Sequence, residues 1–345
     1  MSRTLYFAYP GDLQTRTGGY GYDRRVVGAL PALDWDVQLV PLGDGFPLSP
    51  DVAHANEALS IIPDGSAVLI DGLAFGVLDE WAARNASRLR LHALVHHPLA
   101  LETGLDSHLQ TELIIRETKA LSATHGIVVT SDATARELTK SFGVAEDHIL
   151  VALPGTDPVP LATGSGETPL ILSVGSLTRR KGFDTLIAAL ETLRDLDWTC
   201  RIVGNKHMDP VVSGELEAQI KAAGLADRIT LAGEVEDPRA EFTKADIFAL
   251  ASRYEGYGMV FAEALAHGLP IVGCATGAVP DVVPEAAGFL VAPDDHDQFA
   301  AALKTLLTEM EVRSAMADAA AITGAALPSW RDTAATISAF LERKA

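Results

Sequence analysis

Short runs of aliphatic residues alternate with segments of helical periodicity along the whole chain. Twelve of these runs have the length and the β-branched content of buried strands. The first half contains TLYFAY, VQLVPL, AVLID, LRLHALV, GIVVT and HILVAL, and the second contains LILSVG, TCRIVG, ITLAG, IFALAS, IVGC and FLVAP. Strands that alternate with helices indicate stacked βαβ units, so we predict an α/β protein with two parallel sheets.

A segment without periodicity separates the two halves. Residues 154–169 are rich in Pro, Gly, Ser and Thr, which is typical of linkers, and their GSG triplet precedes a strand, which favours a flexible joint over a phosphate loop. We predict doubly wound domains at 1–157 and 158–327, and a C-terminal helix at 328–345 that packs back across the boundary. Ligands of such sheets bind beyond the carboxyl ends of the strands, here in a cleft between the domains.

Composition narrows the possible partners and the location. The 345 residues carry a formal net charge of −19, which disfavours nucleic acid and anionic membranes as partners. The chain starts with a strand-like segment and contains no apolar run near 18 residues, so we expect a cytoplasmic protein. Cys200 and Cys274 lie in apolar, strand-like runs, where a thiol usually acts as a small hydrophobic group.

The segment 251–274, ASRYEGYGMVFAEALAHGLPIVGC, carries the most chemistry. Glycines before a predicted helix allow a ligand to approach backbone N–H groups, which makes a candidate anion site. Glu255 and Glu263 are eight residues apart, a span of about 12 Å on a continuous helix that suits the sugar and ribose hydroxyls of a nucleotide sugar. Alternatively, Glu255 is a helix cap and Glu263 a solvated charge, although the apolar neighbours of Glu263 favour a functional role.

A basic turn follows the first strand of the second half. The sequence LSVGSLTRRKGF leads from a strand through Gly175 to Arg179, Arg180 and Lys181. A cation at this position is suited to neutralise the charge that develops on a departing diphosphate. The alternative for the two arginines is an exposed basic turn.

Two segments of the first half also suit a ligand site. Gly18 and Gly19 lie in a glycine-rich loop before a helix, and Arg24 replaces the third glycine of a dinucleotide fingerprint, so we expect either a loop that approaches a phosphate or a plain turn. His96 and His97 follow a strand. Adjacent residues of an extended segment point in opposite directions, so only one histidine can face a ligand.

Two acidic motifs have simpler explanations. The Asp-His-Asp sequence at 295–297 matches an Asp-x-Asp metal-binding motif, but it directly precedes a predicted helix and is best explained as helix capping. Asp71 ends a strand and either forms a turn or reaches an acceptor pocket. We therefore predict no metal site.

The run SRYEGYGMVFAEALAHGLPIV resembles the GT-B-fold retaining glycosyltransferases of family four, whose two glutamates match Glu255 and Glu263. The resemblance implies two Rossmann-like domains that face each other across a cleft. It implies that Glu255 holds the donor sugar and that Glu263 binds the ribose. It also assigns the cradle for the sugar and phosphate to the backbone of Gly258, Met259 and Val260.

The same resemblance assigns further donor-site residues. Val235, in LAGEVED, is placed against the nucleobase, and Lys181 matches the lysine of the family. Ser176 stands where the family commonly has an arginine, so one expected positive charge is missing. Either Arg179 or Arg180 replaces it, or the enzyme tolerates a weaker phosphate clamp. In the first half, Gly18 and Gly19 match the first glycine loop. His96 is the closer match to the histidine at the reaction centre, and His97 is the alternative.

The implied activity is transfer of a sugar, as by a hexosyltransferase, from a nucleotide-diphosphate sugar to a soluble small-molecule acceptor. The resemblance also implies retention of configuration, with no metal and no cofactor beyond the nucleotide sugar as co-substrate. Alternatives are a sugar-nucleotide epimerase or phosphorylase of the same fold, and a nucleotide-sugar-binding protein without turnover, which the serine at 176 suggests. An oxidoreductase that uses a nicotinamide cofactor is weakened by the incomplete glycine motif.

Overall fold

The structure, a computed structural model, describes residues 3–102 and 104–343. It divides the chain into two compact units. One unit runs to Gly155 and resumes at Pro328, and the other spans Thr156–Leu327. The last two residues of the predicted C-terminal helix, 344 and 345, lie outside the described residues, as do residues 1, 2 and 103 of the predicted first domain.

The first unit contains a six-stranded parallel sheet of order β2-β1-β3-β4-β5-β6. Every residue of the third strand is buried, as expected for the aliphatic run of a central parallel strand covered on both faces. The strands are β1 (Arg3–Tyr9), β2 (Trp35–Pro41), β3 (Ala67–Asp71), β4 (Arg90–Val95), β5 (Gly126–Val129) and β6 (Ile149–Val151).

Helices connect the strands of the first unit, and local capping sets their ends. Ser131, for example, accepts a hydrogen bond from the backbone N–H of Thr134 at one helix start, and the left-handed Gly143 ends the same helix, as such positions require. The helices are α1 (Gly18–Ala29), α2 (Val52–Ser60), α3 (Gly72–Phe75), α4 (Asp79–Asn85), α5 (Ser107–Leu121) and α6 (Asp132–Phe142).

A helix from the end of the chain completes the core of the first unit. We number it α14 (Trp330–Arg343), after the helices of the second unit. The Trp330 ring meets the Tyr22 ring edge to face, with centroids 5.6 Å apart. The Phe340 ring occupies the space left by Gly126, where a Cβ would lie 2.4 Å from the ring. The returning helix is therefore an integral part of this unit.

The second unit contains a six-stranded parallel sheet of order β12-β11-β10-β7-β8-β9. This is the strand order of the dinucleotide-binding Rossmann fold. The strands are β7 (Leu170–Val174), β8 (Thr199–Val203), β9 (Ile229–Gly233), β10 (Ile247–Leu250), β11 (Ile271–Cys274) and β12 (Gly288–Val291). The helices are α7 (Phe183–Thr192), α8 (Pro210–Ala222), α9 (Arg239–Lys244), α10 (Met259–Ala266), α11 (Val279–Val282), α12 (His296–Thr308) and α13 (Met310–Ala325).

The predicted fold class is confirmed, because each of the twelve predicted strands is present and all the pairings are parallel. The predicted joint differs in one respect. The N–H of Ala162 donates to the carbonyl of His267 at 2.8 Å, and Ser165 donates from its N–H and its hydroxyl to the Asp246 carboxylate. The GSG triplet is therefore hydrogen-bonded to the second unit instead of forming a flexible joint. Among the described residues, no helix is both long and apolar enough to cross a bilayer.

Phe340→Ala tests the contribution of the returning helix to the first unit. Because the ring is buried against Gly126 and beside His92, its removal leaves a cavity, and we expect a loss of about 3–5 kcal/mol in the free energy of unfolding of this unit. Thr336→Ala, an exposed position on the same helix, should change it by less than about 0.5 kcal/mol. Chemical denaturation measures both, and equal stability of the two variants would contradict the packing.

Candidate active site

Both sheets have a point at which the strand order reverses, and the candidate side chains follow the strands at these two points. In the first sheet the reversal lies between β1 and β3, and in the second it lies between β7 and β10. Ligands of open α/β sheets bind beyond the carboxyl ends of the strands at such reversals. Lys181 follows β7 and Glu255 follows β10, whereas Asp71 ends β3 and His96 follows the adjacent β4.

In the second unit, Glu255 is the centre of a buried charged cluster. Its Oε1 accepts hydrogen bonds from Lys181 Nζ and from the Ser252 hydroxyl, both at 2.6 Å. Its Oε2 lies 3.5 Å from a guanidinium nitrogen of Arg180. Glu255 and Lys181 are both buried. Two cations and one hydroxyl group thus face one carboxylate.

The two cations set the ionisation of Glu255. Burial alone raises the pKa of a carboxyl group, but the charges of Lys181 and Arg180 and the hydrogen bonds from Lys181 and Ser252 outweigh it and lower the pKa of Glu255. The side chain is therefore a carboxylate at neutral pH, able to accept hydrogen bonds from hydroxyl groups.

Glycines allow the segments of this cluster to approach closely. A Cβ at Gly182 would lie 1.9 Å from the carbonyl oxygen of Ala251, and a Cβ at Gly277 would lie 2.0 Å from that of Glu255; both glycines have positive φ. The stem of Lys181 packs over Gly175, where a Cβ would lie 3.2 Å from its Cδ. Any larger residue at 182 or 277 would push the backbone segments apart.

The structure distinguishes the two arginines of the basic turn. Arg180 faces Glu255 and also donates to the carbonyl of Tyr254 at 3.0 Å. Arg179 is exposed and pairs with Glu215 at 2.8 Å. Ser176 is partly buried in the same turn. Of the two arginines, only Arg180 belongs to the Glu255 cluster.

The glutamate pair does not lie on one continuous helix. Glu255 precedes α10, and Gly258, with a φ of 88°, is the N-cap from which the helix starts at Met259 and Val260. The 12 Å span expected for a continuous helix therefore does not apply. Glu263 lies inside α10, so backbone N–H groups at the start of the helix separate the two carboxyl groups along the chain.

Glu263 has an unusual ionisation. Its side chain is partly exposed, yet burial raises its pKa to about 7, with the charge of Arg239 opposing this shift and that of Asp157 adding to it. The charge of Glu263 thus changes near neutral pH. Val235 follows β9 and packs against the core of the second unit.

In the first unit, His96 lies in a cradle formed by one face of α1. Its Nε2 is 3.0 Å from Oδ1 of Asp23, and its ring meets Tyr22 edge to face at 5.4 Å. Gly19 faces the ring, because a Cβ there would lie 3.2 Å from Cδ2 and 3.5 Å from Nε2. The cradle residues 19, 22 and 23 have the i, i+3, i+4 spacing of neighbours on a helix.

The glycines of the first half lie in a helix, not in a loop before it. α1 begins at Gly18, after Thr17 as N-cap, so the predicted position of Gly18 and Gly19 in a loop is wrong. The absence of a Cβ at Gly19 leaves room for the His96 ring on the helix surface. The two histidines have separate partners, since His97 Nε2 lies 3.2 Å from Glu102.

The structure adds two residues to the His96 site. Asp23 was not singled out in the sequence, and Asp71 was placed in a turn or near an acceptor. Asp71 is the N-cap of α3, where Oδ1 accepts from the N–H of Leu73 at 2.7 Å. One ligand atom each of Asp23, Asp71 and His96 lie within 4.8 Å of one another. The helical spacing from Gly19 to Asp23 was the signal available in the sequence.

The Asp-His-Asp motif caps a helix, as predicted. Asp295 is the N-cap of α12 and accepts from the N–H of Gln298 at 2.9 Å. A capping role thus accounts for this carboxylate.

Comparison with known proteins identifies the family of one domain. Residues 162–322 match the profile described as glycosyl transferases group 1. The chain carries a glycosyltransferase group 1 domain. The predicted resemblance is thereby confirmed, and the Glu255 cluster and α10 lie within the matched residues. A solved sucrose-phosphate synthase from Thermosynechococcus elongatus shares the fold, with a TM-score of 0.85 and 20% identity over 99% of this chain and 98% of that chain.

Two curated relatives match part of this chain. A D-inositol 3-phosphate glycosyltransferase of Xylanimonas cellulosilytica is 33% identical over 207 residues, which are 54% of this chain and 49% of that protein. A mannosylfructose-phosphate synthase of Agrobacterium fabrum is 31% identical over 192 residues, 50% of this chain and 41% of that protein. The chain thus spans about half the length of the curated relatives it matches.

Gly277→Ala tests the close approach that positions Glu255. The added Cβ would collide with the carbonyl oxygen of Glu255, and the φ of 53° adds strain of about 1–3 kcal/mol, so we expect a clear loss of thermal stability. Gly214→Ala is the matched control, because Gly214 is an exposed residue inside α8 with no atom within 4 Å of a Cβ. That substitution should stabilise the protein by up to about 1 kcal/mol. The same melting temperature for both variants would refute this geometry.

Proposed function

We propose that the protein is a retaining glycosyltransferase that moves a sugar, most simply a hexose, from a nucleotide-diphosphate sugar to a soluble small-molecule acceptor. The observation that carries the proposal is the Glu255 cluster at the strand-order reversal of a glycosyltransferase group 1 domain. Its carboxylate is suited to sugar hydroxyls, and its two cations are suited to a diphosphate.

Each part of the donor has a proposed partner. Glu255 accepts hydrogen bonds from hydroxyls of the transferred sugar, and Lys181 stabilises the charge on the leaving diphosphate. Arg180 takes the role of the arginine that the family commonly has at the position of Ser176. The location of Arg180 beside Glu255 supports this assignment. The other proposed donor contacts are the backbone of Gly258, Met259 and Val260 with the sugar and phosphate, Glu263 with the ribose, Val235 with the base, and the first turn of α1 at Gly18 and Gly19.

The mechanism follows from these assignments. Retention, which the family resemblance implies, fits a same-face substitution in which the leaving phosphate takes the proton of the incoming hydroxyl. The bond from the anomeric carbon to the phosphate oxygen breaks while the bond to the acceptor oxygen forms. Lys181, Arg180 and the start of α10 stabilise the developing phosphate charge, and His96 positions the sugar.

The acceptor proposal is supported by the names of the two curated relatives, which both refer to phosphorylated small molecules. A thermal-shift screen with UDP, GDP, ADP and their sugars identifies the donor, and transfer assays with inositol and sugar phosphates then test the acceptor. Transfer with the anomeric configuration of the donor retained, seen by NMR, supports the proposal. An epimerised or hydrolysed donor without any acceptor, or binding without turnover across the panel, contradicts it.

Glu263→Gln tests the ribose contact. Hydrogen bonds to a charged group contribute about 1.5–3 kcal/mol, so we expect the donor KM to rise by about 10- to 100-fold with kcat nearly unchanged. Glu285→Gln, at an exposed position, is the control. An unchanged donor KM in a folded Glu263 variant would exclude the contact.

The same residue predicts a pH dependence of donor binding. The raised pKa of about 7 for Glu263 means that the carboxylate is present above this pH and is protonated below it. The donor KM of the unsubstituted protein should therefore rise as the pH falls from 8 to 6. The Glu263→Gln variant should lack this dependence, and a parallel dependence in both proteins would assign the titration to another group.

Metal removal tests the assignment of charge stabilisation to protein groups. Because Lys181, Arg180 and the start of α10 are proposed to neutralise the diphosphate, excess EDTA should leave the transfer rate within about twofold of its starting value. The rate is measured before and after dialysis against EDTA. Loss of activity that Mn²⁺ or Mg²⁺ restores would refute the metal-free mechanism.

A further inference from the structure

The carboxyl groups of Asp23 and Asp71 lie together in the interior of the first unit, next to His96. Asp23 has no exposed surface and Asp71 is 3% exposed. Oδ1 of Asp23 contacts His96 Nε2, while its buried Oδ2 has no hydrogen-bond partner among the described residues. Two adjacent buried carboxylates repel each other, and a proton on one of them would remove the repulsion and provide a donor for the buried oxygen.

The position of the His96 ring shows which of its nitrogens contacts α1. Its Cδ2 and Nε2 face Gly19 and Asp23 of α1. The Nδ1–Cε1 edge is on the opposite side of the ring, and the side chain is 20% exposed. A hydrogen bond to one ring nitrogen of a neutral histidine fixes the chemistry of the other nitrogen.

We propose that Asp71 is protonated and donates to Asp23, and that the ionised Asp23 accepts the Nε2–H of His96, so that Nδ1 is an acceptor for a hydroxyl of the transferred sugar. Asp23 is then a positioning residue that fixes the tautomer and the orientation of His96. The assignment of the hydroxyl rests on the proposed transferase function, whereas the arrangement of protons does not.

Burial and neighbouring charges favour a proton on Asp71 over a proton on Asp23. Burial raises the pKa of Asp71 well above its usual range, and the neighbouring Asp23 adds to the shift. Burial also raises the pKa of Asp23, to about 7, with the neighbouring Asp71 and the charge of Arg24 opposing this shift. Burial lowers the pKa of His96, with Asp71 opposing. The other titratable groups that face the site are the phenols of Tyr20 and Tyr22 on α1, whose pKa values are raised by burial and by the same carboxyl groups.

The proposed proton positions give the carboxyl groups of Asp71 and Asp23 different roles, so that replacing them by asparagine has different effects. A protonated Asp71 resembles an asparagine, since either can donate to Asp23 while its oxygen still caps Leu73. Asp23 has no such substitute. In Asp23→Asn the amide oxygen would accept from Asp71, the NH₂ group would face Nε2, and His96 would change to the Nδ1–H tautomer. A wrong tautomer in an otherwise intact site is a recognised cause of large losses in kcat.

The test is NMR of the full chain with ¹⁵N-labelled histidine at pH 8, in which His96 signals are assigned by their loss in His96→Gln. We expect the Nε2–H tautomer in the unsubstituted protein and in Asp71→Asn, and the Nδ1–H tautomer in Asp23→Asn. Asp44→Asn, which removes an exposed carboxylate outside the site, should leave the spectrum unchanged. An Nδ1–H tautomer in the unsubstituted protein would overturn the proposal even if the Asp23 variant did not fold.

Kinetics provide the second readout. Asp23→Asn should lower kcat by at least about 10-fold and leave the Kd for the free nucleoside diphosphate within about twofold, whereas Asp44→Asn should match the unsubstituted protein in both. If the tautomers are as expected but no protein transfers sugar, the proposed function fails and the proton arrangement stands. Stoichiometric Zn²⁺ or Mn²⁺ in the purified protein, absent from both Asp23→Asn and Asp71→Asn, would overturn the proton arrangement in favour of a metal ion.

Discussion

The cost of burying charge governs both candidate regions of this protein. A carboxylate or an ammonium group withdrawn from water is strongly destabilising unless a partner compensates it. The second unit compensates Glu255 with Lys181, Arg180 and Ser252. In the first unit, Asp23 contacts the neutral His96, and Asp71 accepts from the backbone N–H of Leu73. The proton that we propose on Asp71 takes the part that a cation takes in the other unit.

This difference gives the two regions different chemistry. The Glu255 cluster keeps a fixed charge near neutral pH, because its cations lower the pKa of the carboxyl group. A fixed charge is appropriate for a site proposed to hold a sugar and a diphosphate, because negative charge develops on the diphosphate during the reaction. Burial raises the pKa of both Asp23 and Asp71, so this pair favours a bound proton.

Close backbone approach is the second requirement of both regions. The Lys181 turn reaches β10 only because Gly182 has no side chain to meet Ala251, and the segment after β11 reaches Glu255 only because Gly277 has none. In the first unit, Gly19 allows the His96 ring to lie on α1. Within each region the charged groups and the glycines depend on each other, since neither would hold the side chains in place without the other.

The sequence by itself determined the α/β class, the twelve strands and the capping role of Asp295, because each depends on local periodicity or on residues a few positions apart. It also predicted functional roles for Glu255 and Lys181 from their neighbours in the chain. Only the tertiary structure decided that Arg180 and not Arg179 joins Glu255, that the first glycines open a helix, and that Asp23 meets His96 across 73 residues. Such pairings depend on which strand ends lie side by side and on which side chains lose contact with water, and neither is set by local sequence.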